Sequence, residues 1–361
     1  GIRTAGAIEE ILKVGEKLKI PIFPTWNALD IISSDLYYYG GRVGTYGGRG
    51  RNFGIQNSDL LLGVGTRISG RITGAKIKEF ARAAKKYVVD VEEPNLKYQL
   101  FPIEEPIVCD AKIFLERLLH HLSLAKLPDF SEWMSKIIEW RNKYDPVRKE
   151  FYEQKKYANP YVFFRTLSEE MKTGDILIGD CGGNIVISNH AFETKQGQRT
   201  ITNNGNSPMG FSFAGAMGAW LGSDKKHNVV CTIGDGGFNM NIQEIQTVLN
   251  YNLAFKTFIV NNHVYGITKA FQRTNFEGRM EACGPIGYNP PDFIKICEAY
   301  GIKTFKIKTN SEIKDVIKQV LAYDGPAVCD VDCHEWCYYE PRVYGATVIE
   351  DMYPLLARDE F

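Results

Sequence analysis

Long apolar runs are missing from this chain: no stretch of its 361 residues approaches the ~20 consecutive apolar positions that a membrane-crossing helix needs. Nor does it open on the charged start, apolar core and cleavage site of a secretory signal. Net charge is also missing. Lys and Arg total 43 and Asp and Glu total 43, and basic residues never gather into a run that would line a nucleic-acid groove or a membrane-surface helix. Small molecules are the expected partners. Eight cysteines are scattered through the chain, mostly within apolar segments, and the paired C-x-x-C spacing of structural zinc sites is absent. Cys329, Cys333, His334 and Cys337 form the one cluster, which reads as core and strand-end thiols. Together these features predict a cytoplasmic, reduced protein.

What is present is a repeated alternation of helix and strand, which predicts α/β architecture with parallel sheets. In the first third, Ala7 to Leu18 has the spacing of an amphipathic helix, and Pro21 to Thr25, Asp59 to Val64, Lys86 to Val91 and Ile107 to Cys109 read as strands. Ala111 to Leu122 follows as a helix. Residues 126–158 are charged and aromatic, with Trp133, Ile137 and Trp140 at helical spacing, and read as a linker helix region. From Asn159 a second domain is expected: helix Pro160 to Met171, strand Ile176 to Gly179, a turn over Asp180 to Asn184, and the small-residue helix Ala214 to Leu221. Strands Lys303 to Ile307 and Ala327 to Val331, with helices Asp292 to Tyr300 and Ser311 to Leu321, complete it.

The stretch with most chemical content runs from Val229 to Gln272. Val229 to Ile233 reads as a buried strand, Ile242, Ile245, Val248 and Leu249 share one helical face, and Thr257 to Val260 reads as a second strand. This is a βαβ crossover, so its strands should be parallel and adjacent. Asp235 and Asn262 then stand just past the carboxyl ends of neighbouring strands, where open α/β sheets bind ligands. Neighbouring strands lie ~4.8 Å apart, so a carboxylate and an amide oxygen there can share one hard cation such as Mg²⁺, with phosphates completing the shell. Gly236 and Gly237 leave backbone N–H groups bare beside it, which suits phosphate oxygens. The local reading is a metal-bridged diphosphate site.

Gly234-Asp235-Gly236, its spacing to the closing pair Asn261-Asn262, and the sequence between them closely resemble the thiamin-diphosphate motif of the acetohydroxyacid (acetolactate) synthase family. The likeness extends over nearly the whole chain. It implies a Rossmann-like middle domain at 1–125, a linker region at 126–158, a thiamin-diphosphate-binding domain at 159–345 and a tail at 346–361, the two domains being doubly wound parallel sheets. By resemblance, Asp235, Asn262 and the backbone carbonyl of Val264 ligate Mg²⁺, and Gly234, Gly236, Gly237, Tyr265 and Gly266 line the cofactor. Gly183 and Asn184 replace the family's Gln and His at the diphosphate, and Ser207 and Met209 stand in its Gly-Thr-Met-Gly-Phe segment, where Met209 takes the role of bending the cofactor. Phe271, Gln272 and Arg71 echo the synthase's substrate pocket.

The middle domain of the family holds FAD, which by resemblance would meet Arg67 and Asp90. The glycine-rich stretch Gly40 to Gly54, with Arg42, Arg49 and Arg51, reads either as a loop meeting a phosphate-bearing ligand or as a flexible surface loop. Ser69-Gly70 stands where the family usually carries Asp-Asp. The implied activity is decarboxylation of a 2-oxo acid, pyruvate by resemblance, with carboligation to an acceptor carbonyl. Simple decarboxylation and a catalytically silent cofactor-binding half are the other readings. Gly1-Ile2-Arg3 resembles the turn that ends the middle domain's first strand, and no segment resembles the family's amino-terminal pyrimidine-binding domain. The expected partners are therefore that domain, supplied by a lost amino-terminal part or another chain, and further copies in a homodimer or tetramer.

Overall fold

The apolar, β-branched segments become strands of two separate parallel sheets in the computed structural model, which describes residues 1–281, 283–336 and 338–361. The chain divides into two units, Gly1–Pro146 with Glu340–Phe361, and Val147–Tyr339.

In the first unit, β1 (Leu60–Val64), β2 (Lys85–Asp90) and β3 (Glu105–Val108) form a parallel sheet in that order. Helices Ile8–Leu18 and Ala111–Leu124 share a core that includes Val14, Ala111 and Leu115. Asp110 starts the second of these helices by accepting hydrogen bonds from the N–H groups of Lys112 and Ile113. Pro21 to Thr25 is not the strand its composition suggests. Ile22 forms a single bridge with Tyr39, because one short neighbour offers no ladder to extend.

The glycine-rich stretch is also unlike a flexible loop, since Arg49–Gln56 is a helix with all but its first residue buried. Its glycines permit close approach: a Cβ on Gly50 would collide with the Trp140 carbonyl, and one on Gly54 with Ile137 and Phe23. The helix Ser131–Lys143 supplies Ile137 and Trp140, and Trp140 meets Phe53 edge-on at 5.7 Å. The tail folds back on the same surface. Its strands β10 (Arg342–Val343) and β11 (Met352–Tyr353) pair antiparallel. Asn52 Nδ2 donates to the Ile349 carbonyl, Gln56 Nε2 donates to Glu350, and Glu350 pairs with Arg82 at 2.7 Å.

The second unit is a six-stranded, all-parallel sheet. Its strands are β4 (Ile176–Gly179), β5 (Arg199–Ile201), β6 (Val229–Gly234), β7 (Lys256–Asn261), β8 (Lys303–Ile307) and β9 (Ala327–Asp332), in the order β5-β4-β6-β7-β9-β8. As expected of the crossover, β6 and β7 are adjacent and parallel, with Gly234 opposite Val260. Ile178, Cys231, Ile233, Phe238, Ile259 and Val328 fill the core beside the sheet. The chain steps from β4 outward to β5, then returns past β4 to lay down β6. That reversal opens a crevice between the carboxyl ends of β4 and β6, the place where doubly wound sheets hold ligands. Among the described residues, no helix is long and apolar enough to cross a membrane.

Candidate functional site

Asp235 opens the short helix Asp235–Met240 directly after β6 and is 3% exposed. Its Oδ1 accepts the N–H of Gly236 at 2.8 Å, so that N–H is not bare as the sequence implied. Its Oδ2 is buried with no hydrogen-bond partner among the described residues. Burial pushes the carboxyl up to about 6, while the Gly236 N–H, the His263 ring and backbone and the Tyr288 hydroxyl pull it down. A buried, incompletely satisfied carboxylate oxygen costs free energy unless something cationic or hydrogen-bonding faces it.

Asn262 follows β7. Of the asparagine pair, Asn261 is structural: it is 4% exposed, its Nδ2 donates to Asp330 and its Oδ1 accepts the His263 N–H. Asn262 Nδ2 donates to the Trp336 carbonyl at 2.5 Å, which fixes the amide so that its oxygen points away from that bond. The amide thereby presents the kind of ligand a hard cation takes. His263 has φ of 58° and its Nε2 lies 3.2 Å from Asp332 Oδ1, within hydrogen-bond distance of the last residue of β9. Val264 is buried, with its side chain against Gly284.

The glycines record how tightly these segments meet. A Cβ on Gly236 would lie 2.5 Å from the Tyr265 ring and 2.9 Å from Met209 Cε, which brings Gly236, Tyr265 and Met209 together. Cβ atoms on Gly183 and on Gly266 would each strike Tyr339, so this one ring touches the turn after β4 and the turn after β7. Gly234 meets no such obstacle. Asn184 lies in helix Gly182–Ala191, where the sequence suggested only a turn. Its Oδ1 accepts from Thr232 of β6 at 3.4 Å and its buried Nδ2 has no partner among the described residues.

The turn carrying Ser207 and Met209 is held by residues that the sequence reading passed over. Asp180, at the tip of β4, accepts hydrogen bonds from the Gly210 and Ser212 N–H groups and from the Ser212 hydroxyl. Burial raises its pKa and those donors oppose the rise. Asn241 Nδ2 donates to the Gly210 carbonyl at 2.7 Å. Ser207 and Gly210 both take positive φ, 48° and 89°, so the turn is sharp enough to leave Met209 39% exposed at its apex. A carboxylate immediately after the apolar strand Ile176–Gly179 was the signal for Asp180. A Cβ on Gly237 would collide with that carboxylate.

Two separate matches to protein families fall on these elements. Residues 180–331 match the family described as thiamine pyrophosphate enzyme, C-terminal TPP binding domain, and residues 1–118 match thiamine pyrophosphate enzyme, central domain. The chain belongs to the thiamine pyrophosphate enzymes. Among curated relatives it is 32% identical to a Methanococcus aeolicus protein named "Probable acetolactate synthase large subunit", over 91% of this chain and 56% of that protein. It is 31% identical to the Methanocaldococcus jannaschii protein of the same name, over 92% and 56%. With the acetolactate synthase large subunit of Lactococcus lactis it shares 26% identity over its full length and 61% of that protein. The chain thus spans little more than half the length of the curated relatives it matches.

The other expected residues fall on other segments. Phe271 and Gln272 lie further along helix Gly266–Asn275. Phe271 is 58% exposed, and Gln272 Oε1 is 3.1 Å from Cys283 Sγ. Arg67, Arg71 and Asp90 belong to the first unit. Arg67 is exposed, Arg71 is exposed with its guanidinium 5.7 Å from the Trp26 ring centre, and Asp90 closes β2 and accepts the Glu92 N–H. Arg42 and Arg51 are buried, and Arg49 donates to the tail carbonyls of Met352 and Pro354. Of the cysteine cluster, Cys329 and Cys333 are buried free thiols, and Cys337 lies outside the described residues.

Proposed function

We propose that this chain holds thiamin diphosphate through Mg²⁺ and serves the decarboxylation of a 2-oxo acid, pyruvate by its likeness to acetolactate synthase large subunits, with carboligation to an acceptor carbonyl. One observation carries the cation assignment: the orphaned Oδ2 of Asp235 stands at the tip of β6, and the oriented amide of Asn262 stands at the tip of its neighbour β7. When bound, thiamin diphosphate supplies the chemistry that lets a 2-oxo acid lose CO₂.

The chain's own residues would provide the setting. Asp235, Asn262 and the Val264 carbonyl are the cation's protein ligands. Gly183, the Asn184 amide, Gly237 and Gly266 face the diphosphate, with the unpartnered Asn184 Nδ2 as a donor for a phosphate oxygen. Met209, held at its apex by Asp180 and Asn241, supports the cofactor's rings from below, and Tyr265 walls the site beside Gly236. Phe271 and Gln272 serve the substrate pocket. The pyrimidine-binding domain would come from the rest of the protein or another chain, in a homodimer or tetramer. A cytoplasmic setting is part of the same reading.

Product analysis tests the reaction. The chain combined with a pyrimidine-binding domain, given pyruvate, an acceptor carbonyl, thiamin diphosphate and Mg²⁺, should form a product with a new carbon–carbon bond. An aldehyde alone would replace carboligation with simple decarboxylation.

A structural flavin in the first unit is part of the same proposal. It rests on the exposed guanidinium groups of Arg67 and Arg71, which follow β1, and on Asp90 at the carboxyl end of β2. The arginines of the glycine-rich stretch do not enter it, being buried or bonded to the tail. The purified protein is expected to be yellow or to take up FAD. A colourless, folded protein that takes up none would remove the flavin and leave the diphosphate site intact.

A further inference from the structure

We infer that Tyr288 is a positioning residue for the cation ligand Asp235, its phenol hydroxyl being the donor available to the second carboxylate oxygen when the cation site is filled. The inference rests on the cation-site reading given above and adds a residue outside the motif.

Tyr288 lies well beyond the βαβ unit, in the segment that follows helix Gly266–Asn275. Its ring stacks on Tyr265, with centroids 4.1 Å apart and planes 26° from parallel. The segment is tied down at both rings: the Tyr265 N–H donates to the Cys283 carbonyl at 3.0 Å, and the Tyr288 N–H donates to the Gly284 carbonyl at 2.6 Å. Tyr265 in turn lies against Gly236, the residue that follows Asp235. Two stacked rings therefore form a wall beside the residue that follows Asp235.

The hydroxyl distinguishes this wall from ordinary packing. Tyr288 is 7% exposed, and its hydroxyl is buried with no hydrogen-bond partner among the described residues, as is Asp235 Oδ2. The two groups are close enough to perturb each other: burial first, then the charge of Asp235, raises the phenol's pKa. Phenylalanine would fill the same space and stack as well without burying a polar atom. Asp235 Oδ1 is already fixed by the Gly236 N–H, whereas Oδ2 has no such anchor. Ligating carboxylates are typically oriented by an outer hydrogen bond, and loss of such a partner commonly lowers metal affinity 10–100-fold. The ring of His263 is engaged by Asp332.

Tyr288→Phe in the 361-residue chain isolates the hydroxyl, because the substitution keeps the stack. Titrating Mg²⁺ by calorimetry at saturating thiamin diphosphate should show affinity weakened by roughly tenfold or more. Titrating thiamin diphosphate at saturating Mg²⁺ should give a dissociation constant within about twofold of the parent, the difference being specific to the cation. Adding Mg²⁺ with inorganic diphosphate to the parent should also give a tyrosine ultraviolet difference signal that Tyr288→Phe loses. Asp235→Asn run in parallel separates the role of the hydroxyl from the existence of the site. If Asp235→Asn loses Mg²⁺ binding while Tyr288→Phe binds it like the parent, the hydroxyl has no positioning role and the cation site stands. If Asp235→Asn retains parental Mg²⁺ affinity, the cation site itself is wrong and the role of Tyr288 goes with it. Equal losses for both ligands with a lowered melting temperature in Tyr288→Phe would assign the residue to packing and overturn the inference.

Discussion

Asp235→Asn is expected to abolish Mg²⁺-dependent binding of thiamin diphosphate and, at neutral pH, to make the cofactor-free protein more stable. Both effects follow from one buried carboxyl. Asparagine is nearly the same size and keeps an oxygen to accept the Gly236 N–H, so the helix start survives. What disappears is the only charged protein ligand of the proposed shell, leaving diphosphate charge against a site with amide and carbonyl oxygens alone. Calorimetry with Mg²⁺ and thiamin diphosphate reads the first effect. Unchanged affinity would end the cation assignment.

The second effect depends on pH with a defined sign. Burial raises the folded-state pKa of Asp235 from 3.8 to about 6. Between those values the folded protein binds the proton more tightly than the unfolded chain does. This group's contribution to stability is therefore fully present below pH 3.8 and is lost as pH rises through about 6. Above that, keeping the buried carboxylate ionised costs on the order of 3 kcal/mol, because each tenfold difference in proton affinity between the folded and unfolded chain is worth about 1.36 kcal/mol. The neutral amide avoids this cost. Melting in the presence of a chelator should show Asp235→Asn above the parent at pH 7–8, the gap closing towards pH 4. Mg²⁺ should raise the parent's melting temperature and leave the variant's unchanged. The proton also competes with the cation, so the parent's Mg²⁺ affinity should fall about tenfold per pH unit below about 6.

This carboxylate and its partner amide were legible in the sequence for a physical reason. Val229–Gly234 and Lys256–Asn261 are apolar enough to be buried strands, the helical spacing between them dictates a crossover, and a crossover dictates parallel neighbours. Residues just past such strands must then share one end of a sheet. Composition misled where the deciding partner was distant. The glycines of Arg49–Gln56 lower helix propensity, yet they admit the backbone of Trp140 and the side chain of Ile137, which lie in another helix. Pro21 to Thr25 has strand-like residues but lacks a neighbouring ladder. At the site, Asp180 bracing the Met209 turn, Trp336 orienting Asn262 and Tyr339 touching two glycine turns all join segments far apart along the chain. Local periodicity carries no signal for contacts of that kind.

The 361-residue chain by itself is expected to bind its cofactor and turn over no pyruvate. By its resemblance, the reaction needs a carboxylate that exchanges a proton with the cofactor's pyrimidine ring, and proton transfer of this kind needs a group within hydrogen-bond reach. The carboxylates near the described site are committed elsewhere. Asp180 holds the turn at Gly210 and Ser212, Asp332 pairs with His263, Glu335 pairs with Lys269 at 2.7 Å, and Glu244 accepts from the Thr247 hydroxyl. Asp235 is assigned to the cation. Freeing any of these would break its present contact, so the proton-transferring carboxylate is expected from a pyrimidine-binding domain outside these residues. Incubating the pure 361-residue chain with pyruvate, thiamin diphosphate and Mg²⁺ should release no CO₂ above background, although calorimetry on the same sample detects cofactor binding. Adding the pyrimidine-binding domain should restore turnover. Robust CO₂ release from the chain alone would mean that one of these carboxylates leaves its partner to do the proton transfer, with Glu335 and Glu244 the first to replace by glutamine.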